Sequence, residues 1–68
     1  MVEIEEQVTL DSLPESARVA IEKHAGKRKI VFIESVTKNN HIVAYEARVQ
    51  GTDKTSEIKV APDGTLMK

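Results

Sequence analysis

The stretch Ile42-Val43-Ala44-Tyr45-Glu46-Ala47-Arg48-Val49 decides the fold, because its side chains alternate in character with a period of two. One phase holds Val43, Tyr45, Ala47 and Val49, and the other holds Ala44, Glu46 and Arg48. Successive side chains of a β-strand point to opposite faces, so this alternation predicts an antiparallel strand with one buried face. We expect the ring of Tyr45 to pack in the core beneath a helix.

Strands are predicted on both sides of this stretch. Residues 29–36 are rich in β-branched side chains, which favour strands. Between them and the first stretch, Lys38-Asn39-Asn40-His41 offers two asparagines, which tolerate the positive φ of a tight hairpin turn. Residues 55–61 alternate again after a turn at residues 50–54. These segments together predict an antiparallel meander in which each strand pairs with the one before it.

Two segments at the ends of the chain are candidates to extend the sheet. Apolar and polar residues alternate from residue 2 to residue 8, so residues 1–7 are expected to form an edge strand or to fray. At the other end, Pro62-Asp63-Gly64 predicts a turn and Thr65-Leu66-Met67 predicts a short last strand. The expected meander therefore has three to four strands, with an N-terminal edge strand as an extra.

The facing of residues 29–36 is left open by the sequence. Ile30 and Phe32 fall on one phase of the strand. Val31 and Ile33 fall on the opposite phase. Either both faces of this strand are partly covered, or a bulge between Ile30 and Ile33 changes the phase.

A helix is predicted from about residue 13 to about residue 25. In Ser12-Leu13-Pro14-Glu15, the serine hydroxyl and the glutamate carboxylate are spaced to form a capping box, and the proline fits the first turn. Residues at three- and four-residue spacing form one face: Leu13, Ala17, Ala20, Ile21 and His24. Gly26 suits the left-handed conformation that ends a helix. The expected fold class is α+β, with one amphipathic helix packed on the antiparallel β-meander.

Length and composition restrict the chain to one domain, residues 1–68. Ten basic and eleven acidic residues give a formal net charge of −1, which supplies no long-range field for attracting DNA, RNA or an anionic membrane. The absence of cysteine excludes disulfides and thiolate metal sites. No apolar run reaches the roughly 20 residues needed to cross a bilayer, so no membrane insertion is expected. The acidic start lacks the basic and apolar regions of a signal peptide.

Catalytic, cofactor and metal sites are not predicted, because the sequence has no cysteine nucleophile, Gly-rich phosphate loop or His-Glu-x-x-His spacing. A zinc ion shared by His24 and His41 would need two further ligands. We instead expect His24 to be half-buried on the helix and His41 to be solvated in a turn. Lys27-Arg28-Lys29 follows the predicted helix end, where the helix dipole favours cations. Only Phe32 and Tyr45 are aromatic, too few for base stacking, so no nucleic-acid partner is expected.

Apolar residues left over from the predicted core define a candidate partner-binding surface. These residues are Val19, Val31, Ile33 and Ile42. An exposed apolar patch often marks a binding surface, whereas apolar residues scattered singly over a surface need no function. Both interpretations are open from the sequence alone.

The order of these features resembles that of the PepSY-like domain. The features are Val8-Thr9-Leu10-Asp11-Ser12-Leu13-Pro14, a short helix ending at Gly26, a strand containing Ile30 and Ile33, Tyr45-Glu46-Ala47, Glu57-Ile58-Lys59-Val60 and Pro62-Asp63-Gly64-Thr65-Leu66. The resemblance covers roughly residues 8–67 and rests on the order and spacing of all the features together. The PepSY-like domain is also similar in fold to β-lactamase-inhibitor modules.

The resemblance implies a module without catalytic residues. Members of the family occur in secreted or envelope-associated bacterial proteins and in propeptides of thermolysin-type metallopeptidases, where an inhibitory or chaperone-like role has been proposed. It implies a periplasmic or secreted location, although this chain shows no export signal and carries no peptidase. We therefore expect a domain that docks a protein partner through its sheet, by the open face or by adding a strand at an edge. The alternatives are a self-associating homodimer and a periplasmic carrier of a small ligand or metal.

Overall fold

Five strands form one antiparallel sheet in the computed structural model, which describes residues 2–67. Along the chain the elements are β1 (Glu3–Val8), a 3₁₀ turn (Leu10–Ser12), α1 (Glu15–Ala25), β2 (Lys29–Lys38), β3 (His41–Gln50), β4 (Thr55–Val60) and β5 (Leu66–Met67). The strands lie side by side in sequence order, and every neighbouring pair is antiparallel. The predicted α+β class is confirmed. The sheet exceeds the expected three to four strands because the N-terminal segment joins it as β1.

The domain predicted for residues 1–68 includes Met1 and Lys68, which lie outside the described residues. The same holds for the first residue of the predicted edge strand at residues 1–7. Within the described part of the chain, that edge strand is β1, and its pairing with β2 is unbroken from Glu3 to Val8.

The β2–β3 hairpin turns through two asparagines. Asn39 has a φ of 51° and Asn40 a φ of 66°, the left-handed values that both central residues of a type I′ turn require. Lys38 pairs with His41 on either side of them. The predicted hairpin is confirmed, and both strands extend closer to the turn than the sequence indicated.

Two irregularities interrupt the pairing of β2 with β3. The first is a register shift between Ile30 and Phe32, which leaves Val31 without a partner. The bulge, one of the two alternatives open for this strand, is therefore present. Both faces of β2 are also partly covered, because the adjacent residues Ser35 and Val36 are both buried. Ile33 then lies in the core, whereas Phe32 pairs with Arg48 on the opposite face of the sheet.

The second irregularity lies near the hairpin turn, where Val36 pairs with Ala44 but Thr37 pairs with Ile42. Val43 is the extra residue and is only half-buried. The alternation of the strand placed Val43 in the core beside Tyr45, and this prediction is wrong because the bulge interrupts the alternation there.

The core lies between α1 and the sheet. Its buried members are Leu13, Ala17, Ile21, Ala25, Ile33, Tyr45, Ala47, Val49, Ile58 and Val60. The alanines are small, which allows α1 to lie close to β3 and β4. Tyr45 is 7% exposed, as predicted. The buried stripe of the helix repeats every four residues up to Ala25, so His24 is turned out and exposed rather than half-buried.

The helix begins at Glu15, later than predicted, and the predicted capping box is wrong. Leu13 has φ −78° and ψ 151°, the extended conformation that a following proline favours. Ser12 belongs to the preceding 3₁₀ turn, and its hydroxyl donates to the carbonyl oxygen of Thr9 at 2.7 Å. Pro14 takes the N-cap position and makes no side-chain hydrogen bond there.

Glycine is required at two positions for different reasons. Gly26 ends α1 with a φ of 61°, and a Cβ atom there would meet nothing within 4 Å. Gly64 has a φ of 93° in the turn before β5, and a Cβ atom there would lie 2.6 Å from the carbonyl oxygen of Ser16. Gly64 therefore brings the last turn against the first turn of α1.

We predict that Tyr45→Ala lowers the free energy of unfolding by about 3 to 5 kcal/mol, because removing a buried aromatic side chain leaves a cavity. Urea denaturation followed by circular dichroism measures the change. Tyr45→Phe is the matched control, since it keeps the ring, and it should remain folded. A loss below about 1 kcal/mol for Tyr45→Ala would place the ring outside the core.

We also predict that Gly64→Ala destabilises the fold more than Gly26→Ala. Both substitutions force an alanine into a positive φ, at a cost on the order of 1 to 3 kcal/mol. Gly64→Ala adds a clash with the backbone of α1, which overpacking data put at roughly 1 to 3 kcal/mol more. Thermal melts of the two variants measure the difference. Equal losses would show that the last turn can move away from the helix freely.

Candidate functional site

The sheet face turned away from α1, the open face, carries rows of charged side chains. Strand register and alternation place the following residues on it: Glu3, Glu5 and Gln7 of β1, Phe32, Glu34 and Val36 of β2, Ala44, Glu46 and Arg48 of β3, and Glu57 and Lys59 of β4. The core residues of the same strands point the other way, toward α1. The open face is thus built from four adjacent strands and is separate from the core.

One row on the open face balances its own charge. Phe32 pairs with Arg48, and Arg48 pairs with Glu57 on the next strand. The guanidinium carbon of Arg48 lies 5.3 Å from the centre of the Phe32 ring, within the range of a cation–π contact. Its Nη2 donates to Glu57 Oε2 at 3.0 Å. The positive charge of this row is therefore already matched by an aromatic face and a carboxylate.

A second row gathers three carboxylates, which we call the acidic cluster: Glu5, Glu34 and Glu46. One carboxylate oxygen from each lies within 4.8 Å of the other two. Glu34 and Glu46 are directly opposite each other on β2 and β3, an arrangement of like charges that destabilises a sheet. Lys59 Nζ lies 3.6 Å from Glu46 Oε2. No ion pair among residues 2–67 involves Glu5 or Glu34.

The acidic cluster borders an apolar floor. Val36 and Ala44 pair with each other on the open face, and they are only 1% and 0% exposed. Glu5 is the β1 partner of Val36, so its carboxylate sits beside surface from which water is partly excluded. This desolvation, followed by the negative charges of Glu34 and Glu46, raises the pKa of the Glu5 carboxyl.

The chemistry open to the acidic cluster is the binding of positive charge. Three carboxylate oxygens at this spacing can accept hydrogen bonds from an ammonium or guanidinium group of another molecule, or contribute ligands to a hard divalent cation. The sequence carries no motif at these three positions and does not indicate that the three glutamates converge. Their convergence depends on strand register alone.

The partner surface predicted from the sequence does not form one patch. Ile33 is 3% exposed and belongs to the core, so it is removed from that surface. Val19, Val31 and Ile42 are each nearly half exposed. They lie on α1, at the first bulge of β2 and beside the hairpin turn, respectively. Val31 and Ile42 therefore lie toward opposite ends of the paired strands β2 and β3, and Val19 lies on the helix.

Ile42 instead belongs to an apolar patch that the sequence did not reveal, the hairpin-end patch: Val2, Ile4 and Ile42. Ile42 pairs with Thr37, and Thr37 pairs with Ile4 on β1. The three apolar side chains are 71%, 48% and 45% exposed. A shallow groove of about 400 Å³ runs past Val2, Ile4 and the turn asparagines.

The basic cluster at residues 27–29 serves the end of the helix. The Nε and Nη2 atoms of Arg28 donate to the carbonyl oxygens of Ala25 and His24, at 3.1 and 2.6 Å. These carbonyls belong to the last turn of α1, where backbone acceptors lack partners inside the helix. The prediction of a helix-end role is confirmed for Arg28. His41 is exposed at the start of β3.

Comparisons with known proteins leave the family of the chain undecided. No family model, no curated protein and no solved structure matches it. The resemblance to the PepSY-like domain therefore stays a prediction, and so do the role and the location that it implies.

Within residues 2–67, no helix has both the length and the apolar character needed to span a bilayer.

We predict that Glu5→Gln raises stability at neutral pH and has no such effect in acid. Because the pKa of Glu5 is higher in the folded chain than in the unfolded chain, the folded state binds the proton more tightly. Stability is therefore lost as the pH rises from the ordinary glutamate pKa of about 4.3 through the raised value. Urea midpoints of the variant and the wild type, compared at pH 7 and pH 3, measure the effect.

Asp63→Asn supplies a control of opposite sign. The backbone N–H of Thr65 donates to Asp63 Oδ1 at 2.9 Å, and this hydrogen bond lowers the pKa of the Asp63 carboxyl. Its contribution is present above the ordinary aspartate pKa of about 3.9 and is lost as the pH falls through the lowered value. Asp63→Asn should therefore lower stability at pH 7. If Glu5→Gln lowered it as well, the carboxylates of the acidic cluster would not repel one another.

Proposed function

We propose that the chain is a non-catalytic protein-binding module whose partner docks a basic surface on the open face. The acidic cluster is the observation that carries this proposal, because three strands bring their carboxylates together while Lys59 approaches Glu46 alone. A lysine or arginine of the partner would relieve the repulsion between the carboxylates. Complementary charge of this kind also steers association and selects the partner.

The placement of the grooves favours binding over catalysis. Grooves are lined by residues 7–10 with 30–33, by residues 27–29 with 50–52, and by residues 2, 4, 37, 39 and 40. Three titratable side chains of β2 and β3 that an enzyme would need in a groove, Glu34, His41 and Glu46, line none of these three grooves. A catalytic carboxylate works best in an enclosed site from which water is removed, whereas an open sheet face suits contact with another protein surface.

The resemblance to the PepSY-like domain supports the same class of function and narrows it. It implies an inhibitory or chaperone-like role toward a secreted or periplasmic protein, such as a thermolysin-type peptidase. The proposed module would then act by covering a basic surface of that partner. In this reading its location is periplasmic or secreted.

The alternative is a self-associating module, and the hairpin-end patch favours it. Val2, Ile4 and Ile42 are exposed at one end of the sheet, with Ile4 and Ile42 on either side of Thr37, where a second copy would bury them. Sedimentation at increasing concentration separates the two functions. If the wild type and the Ile4→Ser variant both remain monomeric at the highest concentration, the homodimer hypothesis is excluded.

We predict that neutralising the acidic cluster abolishes capture of the partner. The test variant is the triple substitution Glu5→Gln, Glu34→Gln and Glu46→Gln. The wild type and the variant are each immobilised as bait and incubated with a periplasmic or secreted protein fraction. The wild type should retain a protein that the triple variant does not retain, because the variant lacks the three carboxylates. Retention by the wild type should weaken as salt is raised.

The matched control for the triple variant is Asp11→Asn, Glu15→Gln and Asp53→Asn. It changes the net charge equally at exposed positions that lie off the open face. It should capture the same protein as the wild type. Equal capture by both triple variants would overturn docking on the open face. A direct titration of a thermolysin-type metallopeptidase tests the inhibitory role, since the wild type should lower its rate at concentrations where the cluster variant does not.

A further inference from the structure

The free edge of β1 has the regular backbone geometry needed to pair with an added strand. β1 is the first strand in the order of the sheet, so it pairs with β2 on one side, and residues 2–67 supply no strand for its other side. All six residues from Glu3 to Val8 keep an unbroken antiparallel register with β2, free of any bulge. The strand contains no proline. Backbone N–H and C=O groups of alternate residues are therefore directed outward and are able to pair with another chain.

A second copy of the same strand is a poor occupant for this edge. β1 carries glutamates at positions 3, 5 and 6. In every antiparallel pairing of two copies centred between Ile4 and Glu6, at least one glutamate faces another glutamate directly. Like charges placed opposite each other destabilise a strand pair. The charges of β1 therefore disfavour self-pairing in these registers and favour a strand of opposite charge.

The two faces of the edge set different requirements for an added strand. Glu3 and Glu5 lie on the open face, and Glu5 also borders the acidic cluster. Glu6 lies on the helix side of the sheet, together with Ile4, which is 48% exposed. Glu3 has Lys38 at 3.4 Å, and no ion pair among the described residues involves Glu5 or Glu6. An added strand thus meets unpaired negative charge on both faces and an uncovered apolar side chain on one.

We propose that the free edge of β1 takes up an extended, basic segment of the partner protein as a sixth, antiparallel strand. This inference rests on the proposed function and specifies the mode of binding and the chemistry of the partner. Basic residues of the segment lie opposite Glu3, Glu5 and Glu6, and apolar residues lie opposite Ile4 and Val8. The residue opposite Glu5 reaches the acidic cluster from the side, because directly opposed side chains on neighbouring strands have Cβ atoms roughly 5 Å apart.

The pattern defines a probe peptide. Read from its N-terminus, the core of the peptide is valine, threonine, lysine, arginine, isoleucine and lysine, which in antiparallel register meets Val8 first and Glu3 last. Isothermal titration calorimetry measures the binding of the peptide to the full chain. Hydrogen exchange observed by NMR measures the protection of individual backbone amides. We expect saturable binding, with new protection at alternate backbone amides of β1. Absence of that protection at saturating peptide would overturn the inference.

Backbone methylation of the peptide tests strand pairing directly. One version carries N-methyl groups on its first, third and fifth residues, and a second version carries them on the second, fourth and sixth. In an antiparallel pair the N–H groups of alternate residues face the neighbouring strand. One version should therefore lose affinity by about tenfold or more, while the other binds nearly as well as the parent. Equal affinities for the two versions would rule out a sixth strand.

Charge variants of the protein identify the contact. Glu5→Gln should weaken peptide binding by about two- to fivefold, as expected for one exposed ion pair. Glu15→Gln on α1 should leave the affinity unchanged. A peptide with glutamates in place of its basic residues should not bind. Binding of that acidic peptide with the affinity of the basic one would contradict the predicted choice of partner.

The outcomes separate this inference from the proposed function. If the natural partner is captured through the acidic cluster while β1 gains no protection in the complex, docking on the open face stands and strand addition is wrong. If the basic peptide pairs with β1 while the triple cluster variant still captures the partner, strand addition stands and docking on the acidic cluster is wrong.

Discussion

The contact between α1 and strands β3 and β4 determines which residues of this small protein remain free to meet another molecule. Ala17 and Ile21 are completely buried against the sheet, and the alanine allows a close approach of the helix backbone. A helix of 11 residues is only about 16 Å long. It therefore covers one part of one face, leaving Ile4 and Ile42 exposed at the hairpin end and the whole opposite face outside the core.

Much of this architecture could be predicted from a few local signals. The alternation of residues 42–49, the Asn39-Asn40 turn and the stop at Gly26 each follow from backbone or burial preferences that act over short distances. The predicted start of the helix is wrong because two local preferences conflict in Ser12-Leu13-Pro14-Glu15. The spacing of the serine and the glutamate favours a capping box, whereas the proline disfavours a helical conformation in the residue before it. The proline forces the residue before it out of the helical region, so the serine cannot reach the capping position and bonds to Thr9 instead.

The acidic cluster could not be predicted, because its geometry depends on a bulge that no residue type in the sequence indicates. A two-residue turn between Lys38 and His41 in an unbroken hairpin would place Tyr45 opposite Glu34. The extra residue at Val43 shifts the register by one, so that Glu34 faces Glu46. A shift of one residue exchanges the two faces of a strand. The same bulge that removes Val43 from the core therefore brings the two glutamates together.

β1 differs from the other strands in the length of chain that separates it from the strand with which it pairs. β2 to β5 are linked in sequence as successive hairpins, whereas β1 pairs with β2 across the whole of α1. Closing that longer loop costs more chain entropy, and local pairs form before distant ones. We therefore expect β1 to join the sheet late in folding and to detach early, as a cooperative unit of low stability. Detachment would uncover the edge of β2 and remove Val8 from its contact with the core, so the sheet would then offer a different edge strand to another chain.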